Sequence, residues 1–211
     1  MLKPGTSIPT FALKTDQGKL VRNTDLRGRR FVLFFYPKDH TPGCTREACA
    51  FRDLQNQFRK LGVPVFGISA DTEISHEKFA SKHNLGFPLL SDPDHSTAEH
   101  FGVWVEKILY GRKYFGIQRS SFVINAEGRV EKIWEKVKPD GHAAEVLQYL
   151  KGKPDTFEPS QIIKATATKK TTAKASDSAT AKTSEKKVAV SKAAKKVVGK
   201  KSTNKSKTAA K

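Results

Sequence analysis

The chain has 211 residues, with 39 Lys and Arg against 21 Asp and Glu, a net charge of +18 and only two cysteines. Residues 160–211 hold 15 Lys against Asp177 and Glu185, a net of +13, which leaves +5 for residues 1–159. No apolar run approaches the roughly 20 residues that cross a bilayer, the start MLKPGTSIPTF has no apolar signal core, and two thiols without an export signal point to a reducing compartment rather than a disulfide scaffold.

In chain order, FALKTDQGKLV (residues 11–21) reads as a hairpin around Asp16 to Gly18. FVLFFYP (31–37) is a near-continuous run of strand formers, as a strand buried on both faces requires. From Thr45 to Lys60, the apolar residues Ala48, Phe51, Leu54, Phe58 and Leu61 recur at spacings of three and four, one face of a helix. VPVFGISA (63–70) is a second buried strand, ISHEKFASKHN (74–84) a second helix, FPLLSD a short edge-like segment, and residues 96–101 a short helix. SSFVINAEGRVEKIWEKV (120–137) reads as two strands around an AEG turn, and residues 142–150 as a closing helix. Strands alternating with helices and ending in a hairpin and a helix predict an α/β domain with a mixed sheet over residues 1–159.

Both cysteines fall at the first strand-to-helix junction, in YPKDHTPGCTREAC. A cysteine in the first helical turn faces unpaired backbone N–H groups and the positive end of the helix dipole, which favour thiolate over thiol. The plain alternative for Cys44 is a small buried hydrophobe, which the preceding Thr-Pro-Gly turn weakens. Cys49 lies five residues on. In an intact helix the two Cα atoms stand about 8 to 9 Å apart, beyond the roughly 4.4 to 6.8 Å of a disulfide, so any bond between them requires local unwinding. Two ligands at this spacing make an incomplete metal site, and the pair is not a C-x-x-C motif. The histidines form no cluster and read as surface or satisfied groups, and Glu47 reads as a first-turn residue suited to the dipole. With no phosphate-binding GK[ST] loop and no G-x-S-x-G elbow, no cofactor is implied.

The run PKDHTPGCTREACAFRD resembles the peroxiredoxins, most closely their bacterioferritin-comigratory (Q-type) subgroup, in the spacing of Pro37, Thr41 and Cys44. The resemblance continues through GISAD, FPLLSD, FGVW and RSSFVIN, over residues 3 to 150. It implies a thioredoxin-like fold, with Cys44 the peroxidatic cysteine, Cys49 the resolving cysteine seen in part of the subgroup, and Arg119 the family arginine. Hydrogen peroxide and small organic hydroperoxides are the implied substrates, thioredoxin or a similar dithiol the implied reductant, and a monomer the implied state. Arg119 would offer fixed donors to peroxide and thiolate, the Thr41 hydroxyl could donate or accept, and Pro37 would close the pocket without adding a donor. Resolution falls either to Cys49 or to an external thiol.

Residues 160–211 lack the large apolar groups that would repay ordering and are expected to be disordered in isolation. KKVAVSKAAKKVVGKKSTNKSKTAAK resembles in composition the Lys/Ala-rich tails of linker histones and bacterial histone-like proteins. Lys186, Lys187, Lys192, Lys195, Lys196, Lys200 and Lys201 are the candidate phosphate contacts, for sequence-independent DNA binding that weakens with salt. Without aromatics to stack on bases or to insert into lipid, contacts to the nucleic-acid backbone are expected and membrane anchoring is not. A solvated charge run with no partner is the plain alternative, and an architectural nucleic-acid binder with a redox-sensing domain is the reading from a different functional class. The expected location is a bacterial cytoplasm, with nucleoid association through the tail, or the nucleus if the source is eukaryotic.

Overall fold

The computed structural model describes residues 1–152. The expected boundary between residues 159 and 160, and the basic tail with its seven candidate lysines, lie outside them.

The sheet is organised around β3 (Phe31–Phe35), in which all five residues are buried. Side chains alternate across a strand with a period of two, so Val32 and Phe34, with Tyr36 beyond the strand end, enter one apolar cluster, while Phe31, Leu33 and Phe35 enter another. That two-sided demand explains the continuous apolar run. On one side of β3 lies β4 (Val65–Ser69), parallel to it, and on the other β8 (Ser120–Ile124), antiparallel, with Phe35 opposite Ser120. The remaining strands are β1 (Ala12–Thr15), β2 (Leu20–Arg22), β5 (Leu89–Ser91) and β9 (Val130–Trp134), giving the seven-stranded order β2-β1-β5-β4-β3-β8-β9. The helices are α1 (Pro42–Lys60), α2 (Glu73–His83), α3 (Ser96–His100) and α4 (His142–Gly152). This is the mixed sheet with flanking helices that the sequence predicts.

Three features depart from the sequence reading. The segment FPLLSD is no edge: β5 hydrogen-bonds β4 on one side and β1 on the other, with all three residues buried, because the N-terminal hairpin extends the sheet beyond it. Helix α1 begins at Pro42 rather than near Thr45; proline is preorganised for the first helical position, where its missing N–H costs nothing. An unforeseen second sheet pairs β6 (Trp104–Leu109) with β7 (Arg112–Ile117). Its turn, Tyr110-Gly111, has φ of 49° and 76°, the positive pair of a two-residue hairpin turn.

One glycine is fixed by close approach. Gly67 on β4 is flanked by Phe34 and Leu89, and a Cβ there would lie 2.7 Å from the Phe34 ring and 2.8 Å from a Leu89 methyl. Phe34 in turn stacks on Phe51 of α1 with ring centroids 4.6 Å apart, so it has nowhere to retreat. Gly67→Ala is expected to lower the unfolding free energy by about 1–3 kcal/mol through overpacking, measured by urea denaturation; an unchanged midpoint would contradict this packing.

Candidate active site

Sheet order decides what meets at the N-terminus of α1. Since β8 runs antiparallel to β3, the residue preceding β8 lies beside the end of β3, where the chain leaves for α1. That residue is Arg119. Its backbone is held by the Val137 N–H, which donates to the Arg119 carbonyl at 3.0 Å, and by the neighbouring Gln118 N–H, which donates to Val103 at 2.7 Å.

Thr41 caps α1, Pro42 and Gly43 follow, and Cys44 is the third helical residue. Helix geometry leaves the first-turn N–H groups of Gly43 and Cys44 without intrahelical acceptors. Cys44 is only 2% exposed, so the plain reading is right about burial, but its sulfur has a charged partner: Arg119 Nη2 lies 3.1 Å from Cys44 Sγ. The opposite nitrogen, Nη1, donates to Glu47 Oε2. Gly43 packs beside this arrangement: a Cβ there would stand at an ordinary 3.5 Å from Arg119 Nη2 but at a tight 3.3 Å from Pro139. Burial opposes the charge of Arg119, but Glu47 and the sulfur more than offset it and hold the guanidinium above its ordinary value.

Glu47 corrects the sequence reading. It faces the interior, fully buried, with Oε1 lacking any hydrogen-bond partner among the described residues. Burial pushes its carboxyl up to about 7, against the opposing pull of Arg119. The signal was present in the spacing: residues 44, 47, 48 and 51 follow the i, i+3, i+4, i+7 pattern of one helix face, which puts a carboxylate in an otherwise apolar stripe.

The other candidates are less directly engaged. The Thr41 hydroxyl donates to the Lys38 carbonyl at 3.0 Å, which leaves its lone pairs to accept. Pro37 is exposed at the start of the loop from β3 to α1. Cys49 is a half-buried free thiol on the same helix as Cys44, and the unbroken helix keeps the two apart. The loop itself is pinned by Asp39, which accepts from Tyr36 Oη at 2.8 Å and Ser75 Oγ at 2.7 Å and pairs with His76 Nδ1 at 2.8 Å. Its backbone N–H donates to Asp71 at 2.8 Å. His76 and His142 are thus buried and hydrogen-bonded, His142 to Ser121 Oγ at 2.8 Å, as satisfied groups, whereas His95 stacks on Trp104 with its Nδ1 buried and unpaired among the described residues.

The Glu47 carboxyl sets a pH dependence. It titrates near 7 in the folded chain against an ordinary value of 4.5, so the folded state holds the proton more tightly. Its stabilising contribution is complete below about pH 4.5 and is lost as pH rises through about 7. Glu47→Gln, which keeps an acceptor for Arg119, is expected to flatten the change in unfolding free energy between pH 5 and 8. Denaturant titrations across that range test this, and an undiminished slope would contradict it.

The model for the AhpC/TSA family matches residues 4–133. The chain is 50% identical over 147 residues to peroxiredoxin Bcp of Bacillus subtilis, covering 70% of this chain and 94% of that one. It is 45% identical over 150 residues to peroxiredoxin Bcp of Escherichia coli K12, covering 71% and 96%. Among solved structures, the bacterioferritin comigratory protein of Xanthomonas campestris, described for its alkyl peroxide reduction activity, superposes with a TM-score of 0.69 at 38% identity, covering 72% of this chain and 100% of that one. The likeness establishes the thioredoxin-like fold.

Proposed function

The chain belongs to the AhpC/TSA family, among the Bcp peroxiredoxins, and is a thiol-dependent peroxidase; from that premise we propose that Cys44 is its peroxidatic cysteine and Arg119 the group that activates it. The observation that supports this most directly is the 3.1 Å approach of Arg119 Nη2 to Cys44 Sγ at a helix N-terminus. A guanidinium is a permanent cation with fixed donors, and together with the first-turn amides it stabilises negative charge on the sulfur.

The Cys44 thiolate attacks one oxygen of hydrogen peroxide or a small organic hydroperoxide. A sulfur–oxygen bond forms, the oxygen–oxygen bond breaks, and hydroxide or alkoxide leaves, taking a proton to become water or alcohol, while the sulfur becomes a sulfenic acid. Arg119, already aimed at the sulfur, meets the charge that grows on the leaving oxygen, the kind of preorganised donor that contributes most to catalysis. The Thr41 hydroxyl accepts from the peroxide O–H and aligns it, and Pro37 borders the entry without adding a donor. The Cys49 thiol then displaces water from the sulfenic acid to give a Cys44–Cys49 disulfide, for which the first turns of α1 must unwind. A dithiol reductant, with thioredoxin the candidate, returns both thiols.

Cys44→Ser is expected to abolish peroxide turnover, while Cys49→Ser keeps a single stoichiometric oxidation and loses thioredoxin-linked cycling. Peroxide consumption with thioredoxin and its reductase tests both. Full turnover by Cys44→Ser would refute the assignment of the first thiol, and full cycling by Cys49→Ser would move resolution to an external thiol.

The charge of residues 160–211 supports a second role as a tether to DNA, placing the peroxidase near the nucleoid of a bacterial cytoplasm, or in a nucleus if the source is eukaryotic. The catalytic unit is a monomer of residues 1–159 in this reading. Duplex-DNA binding by the full chain, with log affinity falling by about 0.9 per unit of log salt for each phosphate contacted, and its loss in a chain ending at Pro159, is the expected result. Equal binding by both chains would contradict the tether.

A further inference from the structure

A second cation stands behind Arg119. Lys107, in the middle of β6, is half-buried, and its ammonium donates to the Ile117 carbonyl at 2.6 Å. Ile117 is the last residue of β7, 1% exposed, and two positions ahead of Arg119. The Gln118 N–H to Val103 and Val137 N–H to Arg119 carbonyl bonds hold the same short connection, so three bonds in succession fix the bend that delivers the guanidinium to Cys44. The lysine bond is the one made by a charge.

Its neighbours show where that charge acts. Lys107 lies opposite Tyr114 in the hairpin, and its stem passes alongside Gly116, 3.8 Å from where a Cβ there would stand, an ordinary packing distance. Burial and the repulsion of Arg119 hold the ammonium below its ordinary value, and the Cys44 sulfur opposes them. The charged groups joined to this arrangement are Arg119 ahead of β8, bonded to the Cys44 sulfur and to Glu47 of α1, and Lys107 on β6, bonded to the connection that carries Arg119, while burial and, in turn, Arg119 lower His142 of α4. The other cations of the same hairpin, Arg112 and Lys113, are exposed, and Lys113 pairs with Glu106 at 3.0 Å.

We propose that Lys107 is a positioning residue of the peroxidase site, which fixes the approach of Arg119 to Cys44 through its charged bond to the Ile117 carbonyl. A lysine whose only task is to solvate or brace the hairpin would be replaceable by any residue that packs there. One that supplies charge is replaceable only by another cation. This inference rests on the roles of Cys44 and Arg119 given above, and its test includes a readout of the Cys44 thiol that does not depend on peroxidase activity.

The experiment uses the full chain on a Cys49→Ser background, with Lys107→Met, which keeps the stem and removes the charge, and Lys107→Arg, which restores it. The rate of Cys44 alkylation by iodoacetamide is followed against pH by mass spectrometry, alongside the rate of Cys44 oxidation by hydrogen peroxide in a single turnover. Lys107→Met is expected to move the alkylation midpoint upward by several tenths of a pH unit and to slow oxidation about threefold to tenfold, the scale of one ordinary hydrogen bond, since Arg119 keeps its other two backbone anchors. Lys107→Arg should recover most of both. An unmoved midpoint in Lys107→Met, or an equal loss in Lys107→Arg, would overturn the proposal. A wrong assignment of Cys44 would show separately, as peroxide turnover that survives Cys44→Ser.

Discussion

The site depends on one buried row of charge: Glu47, Arg119 and the sulfur of Cys44. Taking a guanidinium and a carboxylate out of water is expensive and is repaid only when both find good partners. Arg119 finds two, one on each terminal nitrogen. Glu47 finds only one among the described residues, with Oε1 left unpaired, and burial, which Arg119 only partly offsets, pushes its carboxyl above the usual carboxylate range. The protein thus accepts a poorly compensated carboxylate in order to aim a cation at a thiol. Below about pH 7 the neutral Glu47 leaves more of the Arg119 field to the sulfur; above it, the carboxylate competes for that field.

This row exists because of strand order rather than local sequence. Antiparallel pairing of β8 with β3 brings residue 119 to the start of α1 from 75 positions away, and the short bends before β8 and after β9 lock it there. On the other flank, Asp39 ties the loop from β3 to α1 to the ends of β4 and α2 through Asp71, Ser75 and His76. Burial of Asp39 works against its charge, but the bonds to His76, Ser75 and Tyr36 more than offset it, and the carboxyl stays below its ordinary value. The arrangement proposed to meet peroxide is thus held by hydrogen bonds on both flanks. The proposed disulfide between Cys44 and Cys49 would demand the opposite, since the unbroken α1 separates the two thiols. That rearrangement would have to release the buried bonds of Arg119 to Cys44 and Glu47 as well as the exposed Arg46–Asp140 ion pair, which is of the kind worth little in water.

Much of this was legible in the sequence where burial imposes a period. The β3 run, the α1 stripe and the AEG hairpin each have one dominant environment, and their residues repeat accordingly. The β6–β7 hairpin was not legible, because Ile108, Leu109, Tyr110, Tyr114 and Phe115 are exposed and give no alternation between an apolar inner face and a polar outer one. The interior place of β5 was missed for a related reason: a three-residue strand is too short to show that both its edges are paired. Cys44, Thr41 and Pro37 stood together in one motif and could be singled out from it, whereas the partnership of Arg119 with Glu47 is a property of the folded sheet. Glu47 reads as a first-turn residue only if α1 starts near Thr45; with the helix starting at Pro42 it falls in the second turn, on the buried face that its spacing from Cys44, Ala48 and Phe51 already marks. The tail is a different case, in which composition supports an electrostatic role but no periodicity places its side chains.

The measurement that bears most directly on the account is the single-turnover rate of Cys44 with hydrogen peroxide in Arg119→Gln, compared with the rate of the same thiol with iodoacetamide. Iodoacetamide reports only how nucleophilic the sulfur is, while peroxide also requires a donor for the departing oxygen. The account predicts a fall of about a hundredfold or more with peroxide, the scale of losing one preorganised donor, and a much smaller fall with iodoacetamide. Equal losses with the two reagents, or no loss with peroxide, would contradict the claim that Arg119 stabilises charge in the transition state.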